Sequence, residues 1–312
     1  MPYRSVNPAI QGQQMRSVIL AFVVTLSLGV APAQSGATEL KVQTLSAWND
    51  YVQSAQTRMN SRRSGNSNFL WVDDDPARYQ RVKRGEIEVA PENGNGSLVV
   101  PGGMIHDWTG AIFIPDSSIE QVLATLSDYQ HYKDFYHPTV IDAQLLQRSN
   151  DGDLFRMYWF NKVLLVSAGT ETEWKSHTVY LPGRRAFSVA YTTRVQEFQY
   201  GPPNEHKLPA DQGDGFVWRL YSFAQYEERD GGVYYELETL ALTRAIPSSL
   251  HVLLTPIITR LSRSSLLVFL QQSRDAVESS LKKPRGHDRA TDANEKRAQY
   301  TAAYSARSSS QR

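Results

Sequence analysis

The chain has 312 residues, of which 41% are hydrophobic and 21% charged, so it can bury a substantial core. Its formal net charge is +1, and no global field therefore attracts it to nucleic acid. It contains no cysteine, which excludes disulfides, thiolate nucleophiles and cysteine-ligated metal sites.

The N-terminus has the pattern of a secretory signal peptide. Met15-Arg16 precedes an apolar run over residues 18–30, and Ala31-Pro32-Ala33 forms a small-residue cleavage site. The run is shorter than the roughly 20 residues of a membrane-spanning helix. We therefore predict that residues 1–33 are a signal peptide, starting at Met1 or Met15, and that the mature protein is periplasmic or secreted. An uncleaved N-terminal anchor is the alternative, and the absence of cysteine excludes a lipoprotein.

Residues 34–103 are predicted to form an N-terminal extension. Its first part, residues 38–63, has apolar residues at the spacing of one helical face: Leu45, Trp48, Val52 and Met59. A polar loop over residues 61–68 follows, and residues 69–72 are typical of a short strand that ends before Pro76. A second strand is predicted near residues 85–89, followed by glycine-rich loops.

The next segment predicts a strand and two helices. Residues 106–114 are apolar and strand-prone, and Pro115-Asp116 ends them. Ser117 or Ser118 can cap a helix that buries four apolar side chains: Ile119, Val122, Leu123 and Leu126. Asp128 can cap a second short helix over residues 129–136.

From residue 139 onward the pattern predicts three β-hairpins. Their strands are residues 139–148 with 154–161, 163–180 with 184–195, and 216–228 with 233–244. The turns contain Asn150-Asp151-Gly152, Pro182-Gly183 and Asp230-Gly231, respectively.

If Asp230-Gly231 is a two-residue loop, the sequence also predicts which residues of the last two strands lie opposite each other. One face then pairs Tyr226 with Tyr235, Ala224 with Leu237, Ser222 with Thr239, Leu220 with Ala241 and Trp218 with Thr243. The other face pairs Gln225 with Glu236, Phe223 with Glu238 and Arg219 with Leu242. Because side chains alternate strictly, the uncharged face is predicted to face the interior.

The same arithmetic applied to the Pro182-Gly183 hairpin gives a second set of pairs. It places Trp174 opposite Tyr191, Ser176 opposite Val189 and Thr178 opposite Phe187 on the interior face, and Glu171 opposite Arg194 on the other. The strands end at Pro247, and Thr255-Pro256 predicts the start of a long helix that ends near residue 281. Residues 283–312 are charged and polar and are predicted to be disordered.

This order of elements, together with residues 112–129 (IFIPDSSIEQVLATLSDY), resembles the START-like superfamily of polyketide cyclases and lipid-transport proteins (SRPBCC). The resemblance covers residues 104–282 and implies an α+β helix-grip fold, in which a curved antiparallel sheet of about seven strands surrounds the C-terminal helix. It also implies a cavity between sheet and helix that holds lipids, polyketides or other apolar molecules.

The aromatic and hydroxyl residues of the predicted interior face are our candidate ligand-binding set. They are Trp174, Tyr191, Trp218, Ser222, Tyr226, Tyr235 and Thr239. Ligand pockets are mostly apolar with a few polar groups, which fits this set, although the same residues can simply fill a core.

Three functions remain open. The first is a carrier of a lipid or other hydrophobic small molecule, with transient membrane contact and no nucleic acid partner. The second is a cyclase- or hydrolase-type enzyme that uses Glu236 and Glu238, which the register instead directs outward as solvated charges. The third is a protein-interaction module with a collapsed cavity. The histidine spacing, six residues between His131 and His137, does not match a helical metal motif, and no metal or cofactor is predicted.

Apolar residues on the outward face require an explanation. We predict that the extension, from Leu40 to Val52, covers the part of this face that contains Tyr221, Phe223, Leu240 and Leu242.

Overall fold

The computed structural model describes residues 38–163, 166–199, 206–245 and 251–282, so the predicted signal peptide and C-terminal tail lie outside the described residues. The helices are α1 (Val42–Arg63), α2 (Pro76–Lys83), α3 (Ile119–Leu126), α4 (Tyr132–Phe135) and α5 (His251–Lys282), with 3-10 turns at Trp71–Asp74 and Tyr129–His131. The strands are β1 (Thr38–Glu39), β2 (Glu88–Pro91), β3 (Ser97–Val100), β4 (Gly103–Pro115), β5 (Val140–Ser149), β6 (Gly152–Val163), β7 (Val166–Leu181), β8 (Arg185–Gln199), β9 (His206–Lys207), β10 (Gln212–Gly213), β11 (Arg219–Arg229) and β12 (Gly232–Arg244). None of the helices in these ranges is long and apolar enough to cross a membrane.

One antiparallel sheet contains most of the strands, in the order β2-β4-β12-β11-β8-β7-β6-β5. β3 also pairs with β4 and β9 with β8, while β1 and β10 form a separate pair. Within the described residues the sheet has ten strands and not the seven predicted, because β2 and β3 pair with β4, and β9 pairs with β8. It therefore includes residues on both sides of position 104, where the extension was predicted to end.

The sheet curves around α5, because strands from both of its ends contact the same helix. At one end α5 packs on β2 and β4. At the other, Phe269 of α5 packs against a cluster that contains Val140 and Ala143 of β5 and is contacted by Met157 of β6. The predicted helix-grip fold, with a curved antiparallel sheet around a long C-terminal helix, is confirmed.

The opposite, convex face of the sheet is covered by α1, as predicted. The apolar stripe of α1 consists of Trp48, Val52, Ala55 and Met59, all of which are buried. It packs in one cluster with Ile105, Phe187, Trp218, Phe223, Leu240 and Leu242 of the sheet side. The sheet is therefore the middle layer of three, between α5 and α1.

The local signals around β4, α3 and the last hairpin are confirmed. Ser118 caps α3 and forms a capping box with Gln121. The register of β11 and β12 is the predicted one, with Tyr226 opposite Tyr235 and Gln225 opposite Glu236.

The predicted register of the Pro182-Gly183 hairpin is wrong by one residue. Leu181 pairs with Arg185, so the loop has three residues, and Gly183 and Arg184 have φ values of 80° and 57°. A loop of two residues was assumed, although glycine followed by a second left-handed residue also closes a hairpin. Trp174 consequently pairs with Thr192, and not with Tyr191.

The slip also changes the predicted ion pair on this hairpin. Arg194 lies opposite Glu173 and accordingly bonds its carboxylate at 2.5 Å, while the predicted partner Glu171 is 3.7 Å away. A bulge between Glu173 and Trp174 shifts the register further along the strands.

Residues 69–72 do not form the predicted strand. The backbone amides of Trp71 and Val72 each donate a 2.7 Å hydrogen bond to the Glu236 carboxylate, and these two residues begin the 3-10 turn Trp71–Asp74. A side chain of β12 thus takes the place of a neighbouring strand as the hydrogen-bond partner of this segment. Asp75 then caps α2, a helix that the sequence analysis missed.

The C-terminal helix begins before its predicted start. Thr255-Pro256 was expected to begin it, but the described helix already includes His251. The predicted start rested on the preference of proline for the first helical position, where the missing donor would have no intrahelical partner, but proline is also tolerated inside a helix at the cost of one hydrogen bond.

Val52 and Val42 form a matched pair for testing the docking of α1, since 8% of Val52 is exposed and 86% of Val42. We expect Val52→Ala to lower the free energy of unfolding by about 2 kcal/mol, because it removes two buried methyl groups and leaves a cavity. Val42→Ala should change it by less than about 0.5 kcal/mol. Chemical denaturation measures both values, and equal effects would contradict the buried position of Val52.

The anchor between Glu236 and residues 71–72 is tested by Glu236→Ala. The change leaves two buried amides without an acceptor, and we expect a loss of about 3 kcal/mol of unfolding free energy together with faster hydrogen exchange at Trp71 and Val72. Glu86→Ala is the control, because half of the Glu86 side chain is exposed. Unchanged exchange at residues 71–72 in the Glu236 variant would show that the carboxylate does not hold this segment.

Candidate functional site

Five of the seven candidate ligand-binding residues lie on the concave face, the side of the sheet that faces α5. These are Trp174, Ser222, Tyr226, Tyr235 and Thr239. The strand pairings explain their common side: Tyr226 lies opposite Tyr235, and Ser222 lies opposite Thr239. Because side chains alternate along each strand, residues two positions apart share a face.

One half of the concave face is closely packed. The rings of Tyr226 and Tyr235 stack with centroids 5.0 Å apart, and Tyr136 stacks on Phe269 of α5 at 4.6 Å. Burial raises the pKa of Tyr136 to about 12, so its hydroxyl is neutral at physiological pH. This half is a core of aromatic rings with protonated hydroxyl groups.

The other half of the concave face is more open. Ser222 and Thr239 are half-buried although they lie on β11 and β12, in the middle of the sheet, and so are Leu220 and Ala241 beside them. The Ser222 hydroxyl donates to the Ala190 carbonyl at 3.3 Å. Half-burial at the centre of a sheet means that part of each side chain faces open space, and the residues there are small, apolar or hydroxylated.

Trp174 belongs to an aromatic wall at the side of this face. It stacks on Phe155 at 6.0 Å, and Phe155 stacks on Tyr129 at 4.1 Å. The Tyr129 hydroxyl lies 3.0 Å from the hydroxyl of Ser176 on β7. A small cavity of about 60 Å³, lined in part by Tyr129 and Ser176, lies beside the wall.

Tyr191 and Trp218, the other two candidates, lie on the convex face. The register slip described above turns Tyr191 over, and its ring stacks on Tyr221 at 5.6 Å. Trp218 precedes the first residue of β11, so strand alternation does not extend to it, and it packs in the cluster that contains Trp48 of α1. The prediction that these two residues face the interior is wrong.

Glu236 and Glu238 point to the convex side, as the register predicts, but the prediction that they are solvated there is wrong. Each is only 2% exposed, because α1 and residues 69–74 cover them. Arg58 of α1 reaches Glu238 at 2.8 Å and Asp107 of β4 at 3.2 Å through one nitrogen, Nη2. Its Nε lies 3.2 Å from Glu92.

Burial changes the acidity of this carboxylate cluster. The pKa of Glu236 rises to about 7, because desolvation outweighs the two backbone hydrogen bonds that it accepts. The pKa of Asp107 rises to about 6 for the same reason, although Tyr51 and Arg58 bond it. Burial and the nearby Asp107 charge also raise the pKa of Glu238 well above its usual range.

A polar cavity of about 230 Å³ lies within this covered region. Its walls include Arg58, Met59, Ser61 and Arg62 of α1, Ser67, Trp71 and Glu92 from the following loops, and Thr109, Gln225, Glu236 and Glu238 of the sheet. Arg58, Tyr51 and Asp107 were not among the site residues predicted from the sequence. Tyr51 and Arg58 are seven residues apart and hence on one side of α1, which was a usable signal. Their acidic partners lie more than 30 positions away in the chain, and no local sequence signal indicated these contacts.

Comparison with known proteins gives similar structures at low identity. A STAR-related lipid transfer protein from Xanthomonas axonopodis has a TM-score of 0.40 and 13% identity over 62% of this chain and 98% of that one. The Zhui aromatase/cyclase from Streptomyces sp. R1128 has a TM-score of 0.37 and 12% identity over 57% and 96%. A START superfamily protein from Mycobacterium smegmatis has a TM-score of 0.36 and 13% identity over 57% and 99%. No family model matches the chain, and no curated protein matches it by sequence.

Proposed function

We propose that the protein is exported and binds or carries a lipid or other hydrophobic small molecule on the concave face of its sheet. The observation that carries this proposal is the half-burial of Ser222 and Thr239 at the centre of a ten-stranded sheet. The apolar run and small-residue cleavage site of residues 1–33 support the export.

The chemistry of the concave face favours an apolar ligand with few polar groups. The open half has hydroxyl groups on Ser222 and Thr239 between the apolar side chains of Leu220 and Ala241. A face of this kind excludes water from an apolar ligand. The Ser222 and Thr239 hydroxyls donate to backbone carbonyls, so their oxygens can accept a hydrogen bond from a hydroxyl group on the ligand. The aromatic wall at Trp174 offers flat apolar surface in addition.

The enzyme alternative loses the residues on which it was based. Glu236 and Glu238 lie on the far side of the sheet from the concave face, and the backbone of β12 separates them from any ligand bound there. Proton transfer requires hydrogen-bond reach to the reacting group, directly or through one water. These two carboxylates therefore do not serve as acid and base for a concave-face ligand.

The proposal is tested by native mass spectrometry of the purified mature protein, followed by organic extraction of what it holds. We expect a co-purifying apolar molecule. Ser222→Trp should lower its amount at least tenfold, because the indole fills the open half of the concave face. Ser46→Trp is the control, since Ser46 is exposed on α1 and its change should leave the amount unaltered.

Two outcomes would contradict the proposal. One is a protein that holds no apolar molecule and binds none from mixed lipid vesicles, which would favour an interaction module with a collapsed cavity. The other is equal loss of ligand in both tryptophan variants, which would show that binding does not involve the concave face. Export is tested separately, by sequencing the N-terminus of the protein recovered from the periplasm or medium.

A further inference from the structure

The docking of α1 on the convex face combines an apolar stripe with a buried charge cluster. The stripe described above packs on the sheet, and Tyr51 and Arg58 extend from the same helix into the carboxylates beside it. The Tyr51 hydroxyl donates to Asp107 at 2.8 Å. The second oxygen of Asp107 is buried and has no hydrogen-bond partner among the described residues.

Negative groups outnumber positive ones in this interface. The titratable groups that face it are Tyr51, Arg58 and Arg62 of α1, Asp73 and Asp74 of the 3-10 turn, Glu92 after β2, Asp107 of β4, Arg229 of β11, which bonds Asp73, and Glu236 and Glu238 of β12. Arg62 bonds Asp74 at 2.6 Å. Arg58 alone pairs with Glu92, Asp107 and Glu238 together.

We propose that α1 is a proton-linked clamp, which is held most tightly on the sheet when the carboxylates beneath it are protonated and loosens as they ionise. The geometry behind this is one guanidinium shared by three carboxylates in a covered interface. Asp107 and Glu238 are buried, whereas a quarter of Glu92 is exposed, and one cation does not offset the cost of burying the two charges of Asp107 and Glu238. Removal of α1 would return Asp107 and Glu238 to water.

The direction of the pH dependence follows from the acidity of Asp107. Its pKa is about 6 under the docked helix, against 3.8 for the ordinary side chain, because burial disfavours the charged form. A carboxyl group whose pKa is raised by docking holds its proton more tightly in the docked state. Docking is therefore strongest at acid pH and weakens as the pH rises from 3.8 to about 6. The raised pKa of Glu238 adds to the effect in the same direction.

The chain can loosen at α1 without detaching at either end. Before α1, β1 pairs with β10, and the Leu40 amide bonds the Asp211 carbonyl at 2.9 Å. After α1, the Glu236 carboxylate holds residues 71–72. The helix is thus a strap between two fixed points, and its opening exposes the convex face locally.

Hydrogen exchange at pH 5 and pH 8 tests the clamp, with each amide corrected for its intrinsic exchange rate. The protection of residues 48–59 is compared with that of α3, which lies elsewhere in the fold. We expect the ionisation of Asp107 alone to lower the protection of α1, relative to that of α3, about tenfold between pH 5 and pH 8. Equal relative protection at both pH values would overturn the proposal.

Variants identify the groups responsible. Asp107→Asn cannot titrate in this range, so the pH-dependent fall in protection should be smaller, and the double variant with Glu238→Gln should reduce it further, leaving only the part due to Glu236. If Asp107→Asn does not fold, Glu238→Gln is measured alone and should also reduce the pH-dependent fall in protection. Asp151→Asn, in the exposed turn between β5 and β6, is the matched control and should keep the full fall. The same fall in the double variant as in the natural chain would overturn the proposal.

Discussion

The central strands of this sheet must be covered on both faces, and the other layers follow from that constraint. In β12, Tyr235 and Leu237 are buried on the concave side, while Leu240 and Leu242 are buried on the convex side. Strand alternation gives each face its own side chains, so one helix cannot cover both. The N-terminal helix is therefore a structural layer of the domain, and the convex face would expose a large apolar patch to water without it.

Covering the convex face also buries carboxylates. Hydrogen bonds and ion pairs offset the cost of burying them to different degrees. Glu236 accepts one backbone hydrogen bond at each of its two oxygens, which ties it to residues 71–72. Glu238 and Asp107 share a single nitrogen of Arg58. Buried charges are stable only when paired and hydrogen-bonded. The first carboxylate therefore acts as an anchor, whereas the other two make docking conditional on their protonation.

Local rules could predict the parts of the fold in which sequence neighbours interact. Ser118 and Gln121 are three residues apart and form the capping box, and the Asp230-Gly231 turn sets its register by itself. The predicted register of the Pro182-Gly183 hairpin was wrong because Arg184 adopts a left-handed conformation, which few sequence signals reveal. The burial of Glu236 under residues 71–72 joins positions more than 160 apart, and no local pattern reports such a contact.

The residues of the candidate site show the same difference between regular local turns, which are predictable, and irregular ones, which are not. Register arithmetic placed Ser222 and Thr239 correctly, because their strands follow a regular two-residue turn, and it misplaced Tyr191 for the reason just given. The same backbone that presents Thr239 to the concave face presents Glu238 to the convex face. Packing of α1 on one side therefore fixes the strand that presents the Thr239 hydroxyl on the other. The two faces differ in chemistry, but their geometry is shared through β12.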